Sequence, residues 1–441
     1  MPSAASLLRA GLVALLASIY APAVMRFCQV LGLFRSVHSS VVDPSDFMVI
    51  EDTTHCEDLH HHVPSNTIFT ACEDSAATRF SWFPALGAFN DPIKAMTSQG
   101  SIHVIDPKTF RSTRLQFENF DGPFVTHGID VVSDKTDSGA VYIFAVNHVP
   151  HPSYVEHMET QGGAKNNFPA GLPKARSQIE MFRHVLGSTT ARHVRSIRHP
   201  LITTPNDVLA LSPTSLYITN DHFYAEGRMR FLEDVYFGAK WSTTVHVQID
   251  RIEELDPTQG FQATIAVTGL HNNNGLGHAA SPGEIAISSA TSGILHIGRI
   301  SQDSSTQHKV KILESIPFHS TIDNPSFYRD AYATPDDDAS GHVLTGLTRA
   351  IDLPKTAHDP SKTEAIMVWL ARPEKQQPDA ATTASSWEHK LLFEDDGTRI
   401  RSASAAVLLG IDPKLEGGKK RAWLLVTGFS SANMVAVKVD L

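Results

Sequence analysis

The stretch NDVLALSPTSLYITNDHFY, residues 206–224, gives the most specific indication of the fold. It contains two largely apolar runs, Val208–Leu211 and Leu216–Thr219, separated by Ser212-Pro213. Val, Ile, Tyr and Thr are enriched in strands, and a short Ser-Pro break between two such runs is typical of a turn. The stretch is therefore predicted to be a strand, a turn and a second strand, with Asn-Asp at both ends.

Similar short runs recur along the chain after about residue 45. Many short strands at regular spacing indicate a sandwich, a barrel or a propeller, and no WD or kelch consensus repeat is visible to choose among them. Three long insertions are predicted near residues 150–174, 224–240 and 352–386. The other strand-like runs are Ser101–Ile105, Val141–Val146, Thr243–Ile249, Gly293–Ile300, Ala365–Leu370, Trp423–Thr427 and Met434–Val439.

The composition is that of a folded, acidic chain. It has 441 residues, of which 41% are hydrophobic and 19% charged, and a net charge of −10. Nucleic-acid binders usually carry a basic face, and none is present, so a nucleic-acid partner is not expected. With three cysteines, Cys28, Cys56 and Cys72, at least one is unpaired in a monomer, and the spacing leaves the pairing of Cys56 with Cys72 open.

The N-terminus has the pattern of a targeting segment. No charge interrupts Ala10–Met25, Arg9 precedes the run, and Ala21-Pro22-Ala23 resembles a signal cleavage site. Residues 1–35 are therefore predicted to be a signal peptide or an N-terminal membrane anchor, although the run is slightly short for a membrane span. The protein is expected in the secretory pathway, secreted or membrane-anchored. A buried N-terminal helix is the alternative.

Four clusters of oxygen-bearing residues border predicted strands. Calcium takes six to eight oxygen ligands from carboxylates, asparagine side chains, backbone carbonyls and water, and such ligands without cysteine favour it over zinc. Taken singly, each cluster is equally typical of a turn, because Asn, Asp and Gly tolerate left-handed backbone. The clusters are Glu57-Asp58, Asn206-Asp207, Asn272-Asn273-Asn274-Gly275 and Asp323-Asn324.

Two further motifs lead to a family resemblance. Residues 126–130 read THGID and residues 146–148 read VNH. Together with Glu57-Asp58 and the stretch 206–224, and in this order over roughly residues 45–441, they resemble the paraoxonase/arylesterase family. The resemblance implies an all-β, six-bladed β-propeller over residues 45–441, here preceded by an N-terminal apolar helix. It also implies two calcium ions in the central tunnel and the hydrolysis of small carboxylic esters or lactones.

The resemblance also implies a role for each site residue. His127 would be the general base that activates water, and His148 would tune or orient it; a histidine pKa near neutrality suits the base role. Calcium would polarise the substrate carbonyl. Asp221 and His222 match a pair that supports the active site without direct catalysis. The catalytic calcium would be held by Glu57, Asn206, Asn274, Asp323 and Asn324, and the structural calcium by Asp58, Asp207 and the backbone carbonyl of Ile129.

Two departures from the family pattern affect what can be carried over. Thr348 stands where the family has an active-site histidine, so the pocket wall and the substrate range are open. Mammalian members close the propeller with a disulfide to the last strand, but Met434–Leu441 contains no cysteine that Cys28 could pair with. The ring is therefore expected to close by strand pairing alone or by another covalent link.

Two other functions compete with the hydrolase. A gluconolactonase-like propeller with one metal would leave Asp58 and Asp207 without an ion to bind. A non-catalytic propeller that binds a lipid or protein partner would use the N-terminal apolar segment for a membrane or lipid surface, as the hydrolase could too. The presence of both His127 and His148 favours catalysis.

Overall fold

Short strands follow one another through the part of the chain that the computed structural model describes: residues 18, 20–160, 168–169, 171–236, 238–303, 307–374 and 386–441. In chain order the strands are β1 (Phe47–Ile50), β2 (Cys56–His62), β3 (Thr67–Cys72), β4 (Trp82–Phe83), β5 (Ala88–Phe89), β6 (Ser101–Ile105), β7 (Ser112–Arg114), β8 (Gln116–Glu118), β9 (Thr126–Ser133), β10 (Ala140–Asn147), β11 (Gln178–Val185), β12 (Thr190–Ile197), β13 (Pro205–Ser212), β14 (Ser215–Asn220), β15 (Ser242–Ile249), β16 (Phe261–Leu270), β17 (Asn273–His278), β18 (Glu284–Ser289), β19 (Ile294–Ile300), β20 (Val310–Pro317), β21 (Ser326–Tyr328), β22 (Gly341–Leu347), β23 (Ile366–Pro373), β24 (Trp387–Asp395), β25 (Ala403–Gly410), β26 (Arg421–Gly428) and β27 (Met434–Asp440).

The helices are few and short. The α-helices are α1 (residues 20–30), α2 (Ala76–Arg79), α3 (Pro92–Ala95), α4 (Pro152–Thr160), α5 (Gly227–Val235) and α6 (Leu353–Thr356). The 3-10 turns are Pro44–Asp46, Val63–Ser65, Pro84–Leu86, Ala350–Asp352 and Pro413–Glu416.

The strands form six antiparallel blades arranged in a ring. Blade 1 is β2-β3-β6-β7, blade 2 is β9-β10-β11-β12 with β8 added in parallel to its outer strand, blade 3 is β13–β16, blade 4 is β17–β20, and blade 5 is β21–β24. Blade 6 is β25–β27 with β1. The innermost strands β2, β9, β13, β17, β21 and β25 each contact the next, and β25 contacts β2. The predicted six-bladed propeller is confirmed.

The hydrophobic core lies between neighbouring blades. Phe144 and Ile179 of blade 2 pack in one buried cluster with Val208, Ile218 and Val245 of blade 3. The predicted strand pair in the stretch 206–224 is β13 and β14, which pair antiparallel with Val208 opposite Ile218. Because apolar side chains from both faces of a blade are buried against its neighbours, each blade depends on the two beside it.

Blade 6 closes the ring with strands from both ends of the chain. Strand β1 pairs antiparallel with β27, with Phe47 opposite Val437 and Ile50 opposite Met434. Closure by strand pairing alone was one of the two expectations, and no disulfide reaches β27. The disulfide joins Cys56 to Cys72 within blade 1, and Cys28 is free and half-buried.

The N-terminal helix packs against the ring, and the predicted insertions are described only in part. Helix α1 docks on blade 4, where Arg26 Nη2 donates to the carbonyls of Ser292 at 2.9 Å and Gly293 at 3.0 Å. Most of the predicted targeting segment, and parts of the insertions near 150–174, 224–240 and 352–386, lie outside the described residues. The third insertion is interrupted by β23. Within the described part of the chain, no helix is both long and apolar enough to cross a membrane.

Because β1 closes the ring, removing buried side-chain atoms from this strand should lower the free energy of unfolding strongly. Ile50 is 0% exposed and packs in the hydrophobic cluster shared by blades 6 and 1, whereas Val49 beside it is 49% exposed. Ile50→Ala is expected to lower the free energy of unfolding by about 2–5 kcal/mol, because it removes buried methyl groups and leaves a cavity. Val49→Ala, the matched control, is expected to cost under about 1 kcal/mol. Urea unfolding measures both, and equal effects would contradict the closure.

Candidate functional site

Polar residues from successive blades meet where the innermost strands begin. Glu57 and Asp58 lie at the start of β2, His127 and Ile129 in β9, Asn206 and Asp207 in β13, and Asn274 in β17, while Asp323 and Asn324 directly precede β21. The innermost strands form a closed ring, so these residues surround its axis. The structure therefore brings together residues that are up to 267 positions apart in the chain.

Direct hydrogen bonds join the blades at this level. Asn324 Nδ2 donates to both carboxylate oxygens of Glu57, at 3.1 and 3.2 Å. The carbonyl of Glu57 accepts from Ser404 Oγ of blade 6 and from Thr427 Oγ1 at 2.9 Å. Blades 1, 5 and 6 are thereby fixed around the Glu57 side chain.

Two glycines let the strands approach closely enough to form the ring. A Cβ at Gly128 would lie 2.2 Å from Oδ1 of Asp207, and a Cβ at Gly275 would lie 2.5 Å from Cα of Asn324. Any other residue would push the carboxylate or the neighbouring backbone away. The glycines beside His127 and Asn274 are therefore part of the site's construction.

Several side-chain oxygens around the axis lack a partner. Nearly all buried polar atoms in folded proteins accept or donate a hydrogen bond. Within the described part of the chain, six such oxygens on or directly before the innermost strands do neither; two are Asn273 Oδ1 and Thr126 Oγ1, and the other four belong to the predicted catalytic-calcium set. These four are Asn206 Oδ1, Asn274 Oδ1, Asp323 Oδ1 and Asn324 Oδ1.

The second predicted set, Asp58, Asp207 and Ile129, is also assembled. Asp58 accepts from the backbone N–H of Leu59 at 2.8 Å and of Ile129 at 3.0 Å. Asp207 accepts from the N–H groups of Val208 at 2.7 Å and Leu276 at 2.6 Å. In a strand the N–H and C=O of one residue point to the same side. The carbonyl of Ile129 therefore also faces Asp58.

The electrostatics of the ring are those of crowded acids. Burial, followed by the charges of Asp323 and Asp58, raises the pKa of Glu57 well above its usual value. Burial and the Asp58 charge raise the pKa of Asp207 in the same way. Burial raises the pKa of Asp58 to about 7 and that of Asp323 to about 8. Such shifts mean that the four carboxylates destabilise one another when all are charged.

The three consecutive asparagines have different surroundings. Asn272 Nδ2 donates to the carbonyl of Asp221, and its Oδ1 accepts from Thr291 N–H. Asn273 Nδ2 donates to Thr244 Oγ1 of blade 3 at 3.3 Å. Asn274 precedes Gly275 at the close approach to Asn324. The geometry thus favours Asn274 as the member of the run that faces the axis.

The predicted metal ligands of the ring are amides as much as acids. Among the described residues, no group of three or more His, Cys, Asp or Glu side chains meets the geometry of a metal site. The predicted catalytic set combines only two carboxylates, Glu57 and Asp323, with three asparagine amides.

A histidine pair adjoins Glu57. His127 Nδ1 and His148 Nε2 are 2.9 Å apart, and His148 Nδ1 lies 2.9 Å from Ser177 Oγ. His127 Nε2 is 3.7 Å from Glu57 Oε1. Burial, then the neighbouring His148, lowers the pKa of His127 well below its usual value, and burial lowers the pKa of His148 to about 3. Both rings are therefore neutral at pH 7.

Residues 73–98, between β3 and β6 and here named the cover, close over this pair. The Phe83 ring centroid lies 5.0 Å from that of His127, and Trp82 Nε1 donates to the His148 carbonyl at 2.7 Å. Arg79 stacks over Phe83 at 4.1 Å. The sequence analysis missed these residues, because a loop tryptophan, phenylalanine or arginine carries no motif.

Asp221 and His222 form a separate ionic chain at the end of β14. His222 Nδ1 lies 3.1 Å from Asp221 Oδ2, and His222 Nε2 lies 2.6 Å from Asp234 Oδ1 of α5. Burial alone would lower the pKa of His222, but the Asp221 charge outweighs it and raises the pKa to about 9. The pair thus anchors α5 to the ring.

Thr348, which stands where the family has an active-site histidine, is buried at the end of β22. Its carbonyl accepts a hydrogen bond from Arg35 Nη1 at 3.1 Å.

Comparison with known proteins agrees with the motifs. The family model described as Arylesterase matches residues 168–274, which include Asn206, Asp207 and Asn274. Serum paraoxonase/arylesterase 2 of Gallus gallus is 26% identical over 352 residues, covering 76% of this chain and 85% of the relative. Serum paraoxonase/arylesterase 1 of Homo sapiens is 23% identical over 249 residues, covering 55% of this chain and 57% of the relative. The resemblance to the paraoxonase/arylesterase family is confirmed.

Among solved structures, a luciferin-regenerating enzyme aligns with a TM-score of 0.42 and 10% identity, over 92% of this chain and 96% of that one. At that level the likeness carries no argument about function.

The ionic chain predicts a pH-dependent contribution to stability. Since the pKa of His222 is raised to about 9, its contribution is complete below about pH 6.5 and is lost as the pH rises through 9. His222→Gln should therefore cost on the order of 3 kcal/mol at pH 6 and far less at pH 10. Urea unfolding at both pH values measures this, with exposed His38→Gln as the control. A cost that does not change with pH would contradict the assignment.

Proposed function

We propose that this chain is a calcium-dependent carboxylic ester hydrolase that acts on aryl esters or lactones. The observation that carries the proposal is the set of four unpaired buried oxygens beside the neutral His127–His148 pair. The resemblance to relatives named as paraoxonase/arylesterase supports the reaction class. At 26% identity the substrate itself does not follow from them.

The donor set of the ring fits calcium. Amide and carboxylate oxygens without sulfur are what calcium takes, and a divalent charge would remove the repulsion among the four carboxylates. One ion would be held by Glu57, Asn206, Asn274, Asp323 and Asn324. A second would be held by Asp58, Asp207 and the carbonyl of Ile129. When bound, the first ion would supply Lewis-acid polarisation of the substrate carbonyl.

The histidine pair supplies the base. If His148 donates from Nδ1 to Ser177 Oγ, its Nε2 accepts from His127 Nδ1, and the Nε2 lone pair of His127 is left free toward Glu57. His127 then takes a proton from water as the oxygen attacks the carbonyl carbon. The ester C–O bond breaks, and His127 returns the proton to the leaving alcohol oxygen. The products are a carboxylic acid, which releases its proton to solvent as the carboxylate forms, and an alcohol; a lactone gives both groups on one hydroxy acid.

The cover excludes water from the histidine pair. His127 is 3% exposed and His148 is 1% exposed, so a substrate reaches them only when the cover moves. A closed, dry site strengthens the interactions that hold the carbonyl. We propose that Phe83 forms the apolar wall against which an aryl or alkyl group packs.

The relatives named as serum proteins support a place in the secretory pathway for this chain. Residues 1–25 are proposed to be either a cleaved signal or an uncleaved anchor. This segment is also proposed to contact a membrane or lipid surface. The alternative function, a non-catalytic propeller that binds a lipid or protein partner, gives no role to a buried histidine pair.

His127→Gln is expected to lower kcat by about 10²–10⁴, because the general base is lost. Glutamine retains a similar shape, so the melting temperature should change little. Phenyl acetate and an aliphatic lactone, assayed with calcium at neutral pH, measure the effect, with exposed His38→Gln as the matched control. Full activity of a folded His127→Gln on both substrates would remove His127 from the base role.

Calcium removal is expected to lower stability and abolish hydrolysis together. A ligand that binds only the native state stabilises it by about 2.7 kcal/mol at 100 times its dissociation constant. Asp323→Ala should mainly remove activity, and Asp207→Ala should mainly lower the melting temperature, because they belong to different ion sites. Melting and turnover with and without chelator test this, with exposed Asp121→Ala as the control. An unchanged melting temperature and an unchanged turnover rate in chelator would contradict the calcium assignment.

A further inference from the structure

A second group of polar side chains is buried beside the histidine pair. It consists of His55, Glu73, Arg79 and Thr126, which are 5%, 0%, 2% and 0% exposed. Arg79 Nη2 donates to the carbonyls of His55 and Thr126, both at 3.2 Å. The backbone N–H of Glu73 donates to the same His55 carbonyl at 3.3 Å. The four residues therefore surround one position, here named the arginine site.

The arginine site concentrates unpaired polar atoms. Among the residues that the structure describes, both ring nitrogens of His55, Oε2 of Glu73, Nε and Nη1 of Arg79 and Oγ1 of Thr126 have no hydrogen-bond partner. A single unpaired buried atom is uncommon in a folded protein, and each one costs free energy. Six of them on four adjacent residues indicate a place built to contact a polar group from outside the chain.

The charge of the site selects an anion. Arg79 forms no direct ion pair with any carboxylate in the described part of the chain, although its guanidinium is fully buried; the charges of Glu73 and Glu57 offset the effect of burial on its pKa only in part. Burial raises the pKa of Glu73 to about 8, so this neighbour is largely neutral at pH 7. A buried cation that no carboxylate contacts directly is unfavourable and favours a directly bonded anionic partner. One positive charge matches the single negative charge of a carboxylate better than a phosphate dianion.

The arginine site is adjacent to the proposed reacting centre. Thr126 directly precedes His127 in β9. Arg79 lies 4.1 Å over the Phe83 ring, which in turn contacts His127 edge-to-face. A small ester whose carbonyl faces His127 therefore has a second functional group within reach of Arg79.

We infer that the arginine site binds a carboxylate on the substrate, and that the preferred substrates are esters or lactones with a free carboxylate in the acyl part. This inference rests on the proposed hydrolase function. Arg79 donates from Nε and Nη1, and His55 and Thr126 offer further donors. Glu73 and Arg79 belong to the cover, whereas His55 and Thr126 belong to the ring. The bound carboxylate thus also joins the cover to the ring over the histidine pair.

The test compares phenol release from two phenyl esters, one with and one without a free carboxylate: phenyl hydrogen succinate and its methyl ester. The wild type is expected to hydrolyse the acid with a kcat/KM at least tenfold above that of the methyl ester. Arg79→Gln should lower kcat/KM for the acid about 10- to 100-fold, the value of hydrogen bonds to a charged group, and change that for the methyl ester less than threefold. Exposed Arg111→Gln is the control and should change neither.

A binding measurement separates this inference from the hydrolase proposal. The amide analogue N-phenylsuccinamic acid is not an ester, so calorimetry detects its binding without turnover. Wild type should bind it at least tenfold more tightly than N-phenylsuccinamide, in which an uncharged amide replaces the carboxylate and no ester is present, and Arg79→Gln should lose that preference. If the wild type hydrolyses neither ester, the hydrolase proposal fails, and this binding result alone decides the role of Arg79.

Three outcomes would overturn the inference. The first is a wild type that shows no preference for the acid in either assay. The second is an equal loss for acid and methyl ester in folded Arg79→Gln, which would make Arg79 a structural counter-charge for Glu57 and Glu73. The third is binding of the acid that survives in Arg79→Gln, which would place its carboxylate elsewhere. If Arg79→Gln does not fold, the wild-type preference decides alone.

Discussion

The confinement of like charges inside a closed ring of strands is the constraint on which the rest of this structure depends. Burial raises the pKa values of Glu57, Asp58, Asp207 and Asp323, and neighbouring carboxylates of the ring add to the shifts of Glu57, Asp207 and Asp323. Without ring closure, repulsion among these carboxylates when charged would push apart the strands that carry them. The pairing of β1 with β27 prevents this, because every blade is then fixed between two neighbours.

The same confinement gives the histidines opposite properties. His148 and His222 are both almost completely buried. Burial lowers the pKa of His148 to about 3, because the Asp221 charge, opposed by that of Arg79, does not offset the burial. His222 is flanked by Asp221 and Asp234, and the pKa is raised to about 9. The neutral His148 can accept a hydrogen bond from His127, whereas the charged His222 anchors α5, so the neighbours decide the role and the residue type does not.

Much of the fold was predictable from local patterns. The strand pair in residues 206–224 was read from composition and a Ser-Pro turn, and it is present as β13 and β14. The number of blades came from the resemblance alone, because the residues show no repeat. The partner of the last strand was not predictable, since β1 and β27 lie at opposite ends of the chain and strand pairing at that distance leaves no local signal.

The sequence by itself determined which chemical groups are available and in what order: paired acids and amides at the starts of strands, and two histidines in recognisable motifs. Only the tertiary structure decided which of them meet. It brought Gly275, next to Asn274, against Asn324 while Asn272 bonds to neighbours, and it gathered His55, Glu73, Arg79 and Thr126 into one group. The physical reason is that hydrogen bonding, burial and charge act through space. A residue's surroundings depend on ring closure and on the cover, and neither is encoded near that residue.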